Sequence, residues 1–334
     1  MNTPIHHVTI GPDEDDTRLD RWLKRHYAGL TQGHVEKLCR TGQVRVDGAR
    51  VKPSTRLTTG ASVRVPPLPK IAEDPEERPR RQTNESASDR AFIRSIVLHE
   101  DDEIIALNKP AGLAVQGGTA MRRHVDGMLG LLQDGEHRPK LVHRLDKETS
   151  GVLVVAKTPA VSARLSKLFK ERELDKVYWA VTVGVPVPQA GQIRSWMIKD
   201  SEAKGADKER MRRSGHGEKG AVHAITDYVT VTTAGQRAAW VALKPKTGRT
   251  HQLRFHMEEI GTSILGDDKY LTRREVPQGL ASGLHLHARA LILPRRSGRP
   301  LTITAPLPGH MKQTFATLGF LEQEAGKDPL EPFL

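Results

Sequence analysis

Strand-like segments follow one another with few helices between them, and this pattern most constrains how the chain can fold. From about Phe92 onward, SIVLHEDDEIIALNKP, VLVVAK, VYWAVTVG, AITDYVTVTT and AAWVALKP have the composition of strands and are bounded by turn residues. The clearest helix is TPAVSARLSKLFKEREL, with Thr158 as its cap. Its apolar stripe comprises Val161, Leu165, Leu168 and Phe169. Because strands mostly follow strands, we predict an α+β domain on a mixed, largely antiparallel sheet with flanking helices.

A smaller unit precedes this domain. Residues 17–65 contain two helical segments, TRLDRWLKRHYAG and TQGHVEKLCRTG, the second of which starts at the cap Thr31. The alternating strands QVRVDGARV and SVRVPP follow around an Asp-Gly turn. Residues 66–91 hold five prolines and almost nothing to bury. We therefore predict a small α/β domain at 17–65, a flexible linker at 66–91 and the larger domain at 92–320. The polar segment 199–220 is predicted to be a long exposed loop.

The charge of the chain favours a polyanionic partner. Lys and Arg number 52 against 40 Asp and Glu, for a net charge of +12. Residues 17–65 alone hold eleven basic and three acidic residues. Nucleic acid is favoured over a membrane surface, and a solvated basic surface without a partner is the alternative. No apolar run approaches the roughly 18 residues of a membrane span, and the N-terminus does not resemble a secretory signal, so we expect a cytoplasmic protein.

Most familiar catalytic signatures are missing from the sequence. It contains no G-x-x-x-x-G-K-[ST], G-x-G-x-x-G or H-E-x-x-H motif, and TSG at 149–151 lacks the serine-hydrolase elbow. His285 and His287 lie two apart, but no third ligand accompanies them, so we predict no metal site. The single cysteine, Cys39, excludes an internal disulfide and fits a buried helix position.

Asp146 is the most conspicuous candidate for chemistry. In LVHRLDKETSGVLVV, at residues 141–155, this carboxylate lies just before a run apolar enough to be a buried strand, and His143 and Arg144 are close by. A turn or capping role is the common one for such an aspartate. However, side chains held at the edge of a buried sheet can form a preorganised site. A second polar cluster, KPKTGRTHQLRFHM at 244–257, leads into an apparent helix that carries Arg254.

Several segments match, in order, the motifs of a known enzyme family. HRLDKETSG resembles the active-site motif of the RluA family of pseudouridine synthases, and LNKPAGLAVQGG is similar to that family's N-terminal motif. TGRTHQLRFH, ILGDDKY and LHARALILPRRSGRPLTITAPLP resemble its later blocks. Residues 17–65 resemble the S4-type RNA-binding module that many of these enzymes carry. The resemblance covers nearly all of residues 92–320 and favours the RluC-like branch over the RluD-like one.

The resemblance implies conversion of uridine to pseudouridine, a rearrangement that needs no cofactor. Departure of the base leaves positive charge on the sugar, and a carboxylate can stabilise that charge, add to C1′ or take the 2′ proton. The resemblance implies Asp146 as this carboxylate and Arg254 as the cation placed against it. Tyr178 would stack on the flipped uracil and help to move the C5 proton, with plain sheet packing as its alternative role. Residues expected to support the site are His143, Arg144, Thr149, Lys244, Arg249, His251 and Leu253.

The expected substrate is 23S ribosomal RNA, free or in the pre-50S particle, bound by a monomeric enzyme. Phosphate contacts are expected from Arg18, Arg21, Lys24, Arg25, Lys37, Arg40 and Arg45. Further contacts are expected on the solvent face of the 160s helix, from Arg164, Lys167 and Lys170. Two alternatives remain open: a non-catalytic RNA-binding or ribosome-assembly factor, and a transfer-RNA modifying member of the same family.

Overall fold

The computed structural model describes residues 6–27, 30–68, 87–117, 123–202, 209–272, 274–295 and 298–333. The chain divides into two compact units, Met1–Asn84 and Glu85–Leu334. Each unit has its own apolar core, so each is described by itself. Within the described residues, every helix is too short or too polar to cross a membrane.

The first unit packs two helices on a small antiparallel sheet. Its elements are β1 (His6–Thr9), α1 (Leu19–His26), α2 (Gln32–Arg40), β2 (Arg45–Val46), β3 (Ala49–Arg50) and β4 (Ser62–Val65). The strand order is β1-β4-β2-β3. The Thr31 side chain caps α2 by accepting from the His34 N–H, as the sequence predicts. Cys39 lies buried on α2, and the predicted Asp-Gly turn joins β2 to β3 with positive φ at both Asp47 and Gly48.

The boundaries of the units differ from the sequence prediction. Strand β1 precedes residue 17 and pairs with β4. A helix, α3 (Ala87–Ser95), begins inside the predicted linker 66–91, whose residues 69–86 lie outside the described ranges. Ile93 of this helix is fully buried in the core of the second unit, and the Arg123 guanidinium lies 4.3 Å above the Phe92 ring. These contacts are non-local, so the polar sequence of α3 did not reveal them.

The second unit is built on one large sheet. Its strands are β5 (Val97–Glu100), β6 (Ile104–Lys109), β7 (Lys140–Leu141), β8 (Ser150–Ala156), β9 (Asp175–Val183), β10 (Ala190–Lys199), β11 (Met211–Ser214), β12 (Val222–Ala234), β13 (Ala238–Pro245), β14 (Leu286–Leu293) and β15 (Leu301–Thr304). Its further helices are α4 (Val125–Met128), α5 (Pro159–Glu171), α6 (Gln252–Glu259) and α7 (Gly309–Leu318). The Thr158 side chain caps α5 as predicted.

The sheet is mixed, as expected for an α+β domain. Its order is β11-β10-β12-β13-β9-β14-β8-β6-β5, with β15 beside β14 and β7 beside β8. The pairing of β14 with β8 is parallel and the other described pairings are antiparallel. At the parallel junction Gly151 has φ +111°, and a Cβ there would lie 2.2 Å from the Ala288 carbonyl oxygen, so the close approach of β8 and β14 requires glycine.

The two faces of the sheet carry different helices. Alternate residues of a strand point to opposite faces. Ala180 of β9 packs with Leu253 and Met257 of α6. Trp179, its neighbour, packs on the other face with Phe315 of α7. This alternation determines which side chains of β9 and β13 can reach a site beside α6.

The segment 199–220 is not the uninterrupted exposed loop that its composition suggested. Strand β10 extends to Lys199, and β11 pairs with it antiparallel. Residues 203–208 lie outside the described ranges. Met211 is buried, and its N–H donates to the Tyr270 hydroxyl at 2.7 Å. With one apolar anchor among polar neighbours, the strand has too little hydrophobic signal to be predicted.

Candidate active site

A pocket of about 330 Å³ lies where the loop before β8, the first half of β9, the end of β13 and the start of α6 meet. Asp146 is the one carboxylate among the described residues that line it. Tyr178 and Arg254 line the same pocket. Side chains from three distant parts of the sequence therefore line one cavity, and Asp146 and Arg254 are more than 100 residues apart.

The loop that carries Asp146 is fixed on both sides. Leu145 is buried in the core beneath it, and the Thr149 N–H donates to the Asp146 carbonyl at 3.2 Å. The next carbonyl, of Lys147, accepts from the fully buried Lys109 ammonium at 2.9 Å and from the Gly112 N–H at 3.0 Å. These contacts hold the half-buried Asp146 in place without using its carboxylate.

Lys109 organises the turn opposite the Asp146 loop. Its ammonium also donates to the carbonyls of Pro110 at 2.9 Å and Leu113 at 2.8 Å. Burial lowers the pKa of Lys109 to about 7, and the nearby charges of Glu148 and Asp146 oppose that shift. The three N–H groups of one ammonium thus join the LNKPAGL and HRLDKE segments at backbone level.

His143 is a neutral hydrogen-bond acceptor at the rim of the pocket. The Val154 N–H donates to its Nε2 at 2.9 Å, and its ring stacks on Phe169 of α5 with centroids 4.3 Å apart. Burial, and then the charge of Lys176, lower the pKa of His143 to about 3. The ring therefore carries no charge at neutral pH and acts as a wall of the site.

Tyr178 presents an uncommitted phenol to the pocket. It lies on the same face of β9 as Ala180, is half-buried, and its hydroxyl makes no hydrogen bond to a described residue. Burial raises the pKa of Tyr178, and the negative charge of Asp146 raises it further. The hydroxyl therefore stays protonated and can act as a donor to a bound molecule.

Arg254 is held by carboxylates that the sequence prediction missed. Its Nε and Nη2 donate to Asp267 at 2.7 and 2.6 Å, and Nη2 also donates to Asp268 at 2.9 Å. Burial lowers the pKa of Arg254, but the hydrogen bond and charge of Asp267, with the charge of Asp146, outweigh it and raise the pKa overall. The expected pairing of Asp146 with Arg254 is thus Coulombic in this structure, and the hydrogen-bonded ion pair is formed with Asp267.

The start of α6 is an unusually constrained turn. His251 has φ 53°, a left-handed conformation that is uncommon for a residue other than glycine, and it is buried. Its Nδ1 lies 3.3 Å from the Tyr270 hydroxyl, which already accepts the Met211 N–H. The Gln252 amide accepts from the Thr247 hydroxyl at 2.6 Å and donates to the Ile225 carbonyl at 2.9 Å. These bonds hold the turn in place.

The pocket contains all but one of the residues predicted to form or support the site. The predicted residues that line it are His143, Arg144, Asp146, Thr149, Tyr178, Arg249, His251, Leu253 and Arg254. Lys244 does not, because it alternates with Leu243 on β13 and points to the opposite face of the sheet. There its ammonium pairs with Asp175 at 2.9 Å. The prediction that Lys244 supports the site is therefore not met.

The residues missing from the sequence prediction of the site are mainly those whose side chains hold the pocket residues and loops in position. Lys109, Gln252, Asp267 and Tyr270 lie inside the motif segments LNKPAGLAVQGG, TGRTHQLRFH and ILGDDKY. Their position inside these motif segments was the sequence signal that could have identified them. Lys176, which also lines the pocket, lies outside all of the motif segments.

The basic residues predicted to bind RNA differ in their exposure and in their contacts within the protein. In the first unit Arg21, Lys24, Arg25, Lys37 and Arg40 are exposed. Arg18 instead forms an ion pair with Asp20 at 2.6 Å, and Arg45 donates to the carbonyls of Gly42 and Gly48. On α5, Arg164 pairs with Glu103 at 2.6 Å, Lys167 lies 3.8 Å from Glu171, and Lys170 is exposed.

Comparison with known proteins identifies the class of enzyme that this sheet and pocket represent. A family model described as RNA pseudouridylate synthase matches residues 103–259, and one described as S4 domain matches residues 17–63. The chain belongs to the RNA pseudouridine synthase family, the isomerases that convert uridine in RNA to pseudouridine. The predicted family, S4 unit and fold class are confirmed.

Individual relatives match over nearly the whole chain. Ribosomal large subunit pseudouridine synthase C of Rickettsia felis is 34% identical over 323 residues, 94% of this chain and 98% of that protein. The protein of the same name from Salmonella typhimurium is 32% identical over 317 residues, 93% of this chain and 96% of its own length. The solved structure of human RNA pseudouridylate synthase domain containing 4 has a TM-score of 0.58 at 30% identity, covering 70% of this chain and 97% of that one.

Proposed function

We propose that this enzyme isomerises specific uridines of large-subunit ribosomal RNA, with Asp146 as its catalytic carboxylate. The observation that carries the proposal is the convergence of Asp146, Tyr178 and Arg254 on one pocket in which Asp146 is the one described acid. The choice of RNA is supported by the names of the relatives that match over most of the chain.

The position of Asp146 suits the difficult step of the reaction. When the N1–C1′ bond breaks, the sugar becomes electron-deficient, and a fixed carboxylate can stabilise it, bond to C1′ or remove the 2′ proton. The Arg254 guanidinium lies close enough to Asp146 for their charges to interact. Asp146 makes no hydrogen bond to Arg254, so its oxygens are free to meet the sugar.

Tyr178 suits the handling of the base. Tyr178 packs against the apolar clusters that contain Leu145 and Leu253, and it lines the pocket, where a flipped uracil can stack on its ring. Its protonated hydroxyl can hydrogen-bond to the turning base and serve in the transfer of the C5 proton. Flipping a base out of folded RNA costs a few kcal/mol, which the exposed basic residues of the first unit offset by binding phosphates.

The proposal also covers the oligomeric state of the enzyme, its location and the form of its RNA substrate. We expect a monomeric enzyme that works in the cytoplasm on 23S RNA or the pre-50S particle. A transfer-RNA substrate is the second candidate within the family, and it predicts that deleting residues 1–65 barely changes which RNA is modified.

Mapping of pseudouridines in cells that lack the gene tests this proposal. Sites in large-subunit RNA should disappear, return on expression of the wild-type chain, and stay absent with the Asp146→Asn variant expressed at the same level. Loss of sites in transfer RNA with large-subunit RNA unchanged would refute the proposed substrate. Restoration by Asp146→Asn would refute the catalytic role of the carboxylate.

A further inference from the structure

The pocket carries an excess of positive charge that the isomerisation chemistry does not use. Its described lining includes Arg144, Lys176, Arg249 and Arg254 against the single carboxylate of Asp146. Arg254 is neutralised by its own aspartates. Arg144 and Arg249 are exposed at the rim, where water screens them. Lys176 is different, because it is half-buried in the wall itself.

Lys176 has no counter-charge in the described structure. It forms no hydrogen bond and no ion pair with a described residue, and the charge that acts on it is the cation of Arg172. Burial lowers the pKa of the Lys176 ammonium, and the charge of Arg172 lowers it further. A partly desolvated cation without a partner is unfavourable for the free protein. Its presence in the pocket wall suggests that a bound anion completes it.

The geometry of β9 relates Lys176 to the base site. Lys176 and Tyr178 are two residues apart on one strand, so their side chains point to the same face roughly 7 Å apart. The Lys176 ammonium lies beside Gly248, where a Cβ would be 3.8 Å from Nζ, so the glycine leaves open space next to the charge. A nucleotide whose uracil stacks on Tyr178 would bring its backbone phosphate to a comparable distance from the ring.

We propose that Lys176 forms an anionic subsite of the pocket that binds a phosphodiester next to the flipped uridine. This inference rests on the proposed function, since it takes a uridine in RNA as the occupant of the pocket. Lys176 is then a binding residue for the substrate backbone and takes no part in bond breaking. It pulls the target nucleotide into the pocket, while the exposed arginines contact phosphates further along the strand.

A double-mutant cycle, in which Lys176 and one phosphodiester of the RNA are changed separately and together, tests the proposed contact between them. The protein variants are Lys176→Met, Lys176→Arg and the matched control Lys312→Met, an exposed lysine on α7. The RNA is a large-subunit fragment with 5-tritiated uridine and one neutral methylphosphonate, placed either 5′ or 3′ of the target. Lys176→Met should lower kcat/KM for tritium release by roughly 10- to 100-fold, the range of a hydrogen bond to a charged group. Lys176→Arg should restore most of it, and Lys312→Met should leave it unchanged.

The pattern of combined effects decides the outcome. One of the two methylphosphonates should slow the wild type as much as Lys176→Met does, and should slow that variant no further. Effects that multiply would show that Lys176 acts through the fold alone and would overturn the subsite. Equal rates of the wild type on the unmodified fragment and on both methylphosphonate fragments would overturn it as well.

A binding measurement separates this inference from the proposed function. Uridine 3′- and 5′-monophosphate and uridine are titrated calorimetrically into the wild type, Lys176→Met and Lys312→Met. At least one monophosphate should bind the wild type and Lys312→Met about tenfold more tightly than uridine, and Lys176→Met should lose this preference. Equal affinities throughout would overturn the subsite even if isomerisation is established. If the wild type prefers a monophosphate and Lys176→Met does not, but the wild type releases no tritium from ribosomal RNA, the subsite stands and the proposed function is overturned.

Discussion

The Arg254–Asp267 pair is the best-defined charged contact beneath the candidate active site. The Arg254 side chain is 2% exposed and that of Asp267 is fully buried. Asp267 Oδ1 also accepts the N–H groups of Lys269 and Tyr270, both at 2.9 Å. Asp267→Asn keeps an acceptor for those N–H groups but removes the negative charge that neutralises the guanidinium.

The magnitude follows from the surroundings of Arg254. Removing one partner of a buried ion pair costs about 3–5 kcal/mol. Asp268 remains, but its side chain is 67% exposed, and such a partner returns at most about 1 kcal/mol. We therefore expect Asp267→Asn to lower the unfolding free energy of the second unit by about 2–4 kcal/mol. Since the guanidinium also loses its fixed position, tritium release should slow by about 100-fold.

Urea unfolding followed by tryptophan fluorescence measures the stability effect. Trp179, Trp196 and Trp240 lie in the second unit and report on its transition, and Trp22 lies in the first. Asp268→Asn is the matched control, because it removes the exposed carboxylate of the same guanidinium and should cost no more than about 1 kcal/mol. Equal costs for the two variants, or full activity of Asp267→Asn, would refute the reasoning.

Three further predictions concern the base, the buried histidines and the RNA surface. Tyr178→Phe keeps the ring but removes a hydroxyl with no partner among the described residues, so stability should change by less than about 0.5 kcal/mol, while tritium release falls by about 100-fold; an unchanged rate would exclude the hydroxyl from proton transfer. Burial lowers the pKa of His285 and of His287 from 6.5 to about 4. The unfolded chain therefore binds more protons between these values, and the urea midpoint of the second unit should fall as the pH drops from 6.5 to 4; a rising midpoint would contradict this. The double variant Lys37→Ala, Arg40→Ala should weaken RNA binding and lower the salt slope of log Kd by roughly one for each phosphate that is no longer bound, with Lys312→Met as the control; an unchanged slope would remove α2 from the RNA interface.

Local patterns predicted most of the architecture. Alternating residues and an Asp-Gly turn predicted β2 and β3, and the caps Thr31 and Thr158 predicted the starts of α2 and α5. These signals are local, since a cap or a turn is determined by residues a few positions apart. Strands β1 and β11 and helix α3 were missed because non-local contacts, such as the bond from Met211 to Tyr270, fix their positions.

The sequence predicted those site residues whose side chains also lie on the pocket side of their strand, helix or loop. Asp146 and Arg254 lie in motif segments and Tyr178 was named from the family resemblance, and all three line the pocket. Lys244 was misplaced because motif membership does not state which face of β13 a residue occupies. Asp267 was missed because its role depends on its distance to Arg254, which the sequence does not give.

The most direct measurement is single-turnover tritium release from a 5-tritiated large-subunit RNA fragment, with wild-type enzyme and the Asp146→Asn variant each in excess over RNA. Asn has the shape of Asp without the charge, and Asp146 makes no ion pair with the described residues that the change could break. The wild type should release tritium to completion, and Asp146→Asn should bind the fragment with the same Kd and release none. Release by Asp146→Asn at the wild-type rate would contradict the catalytic role of this carboxylate.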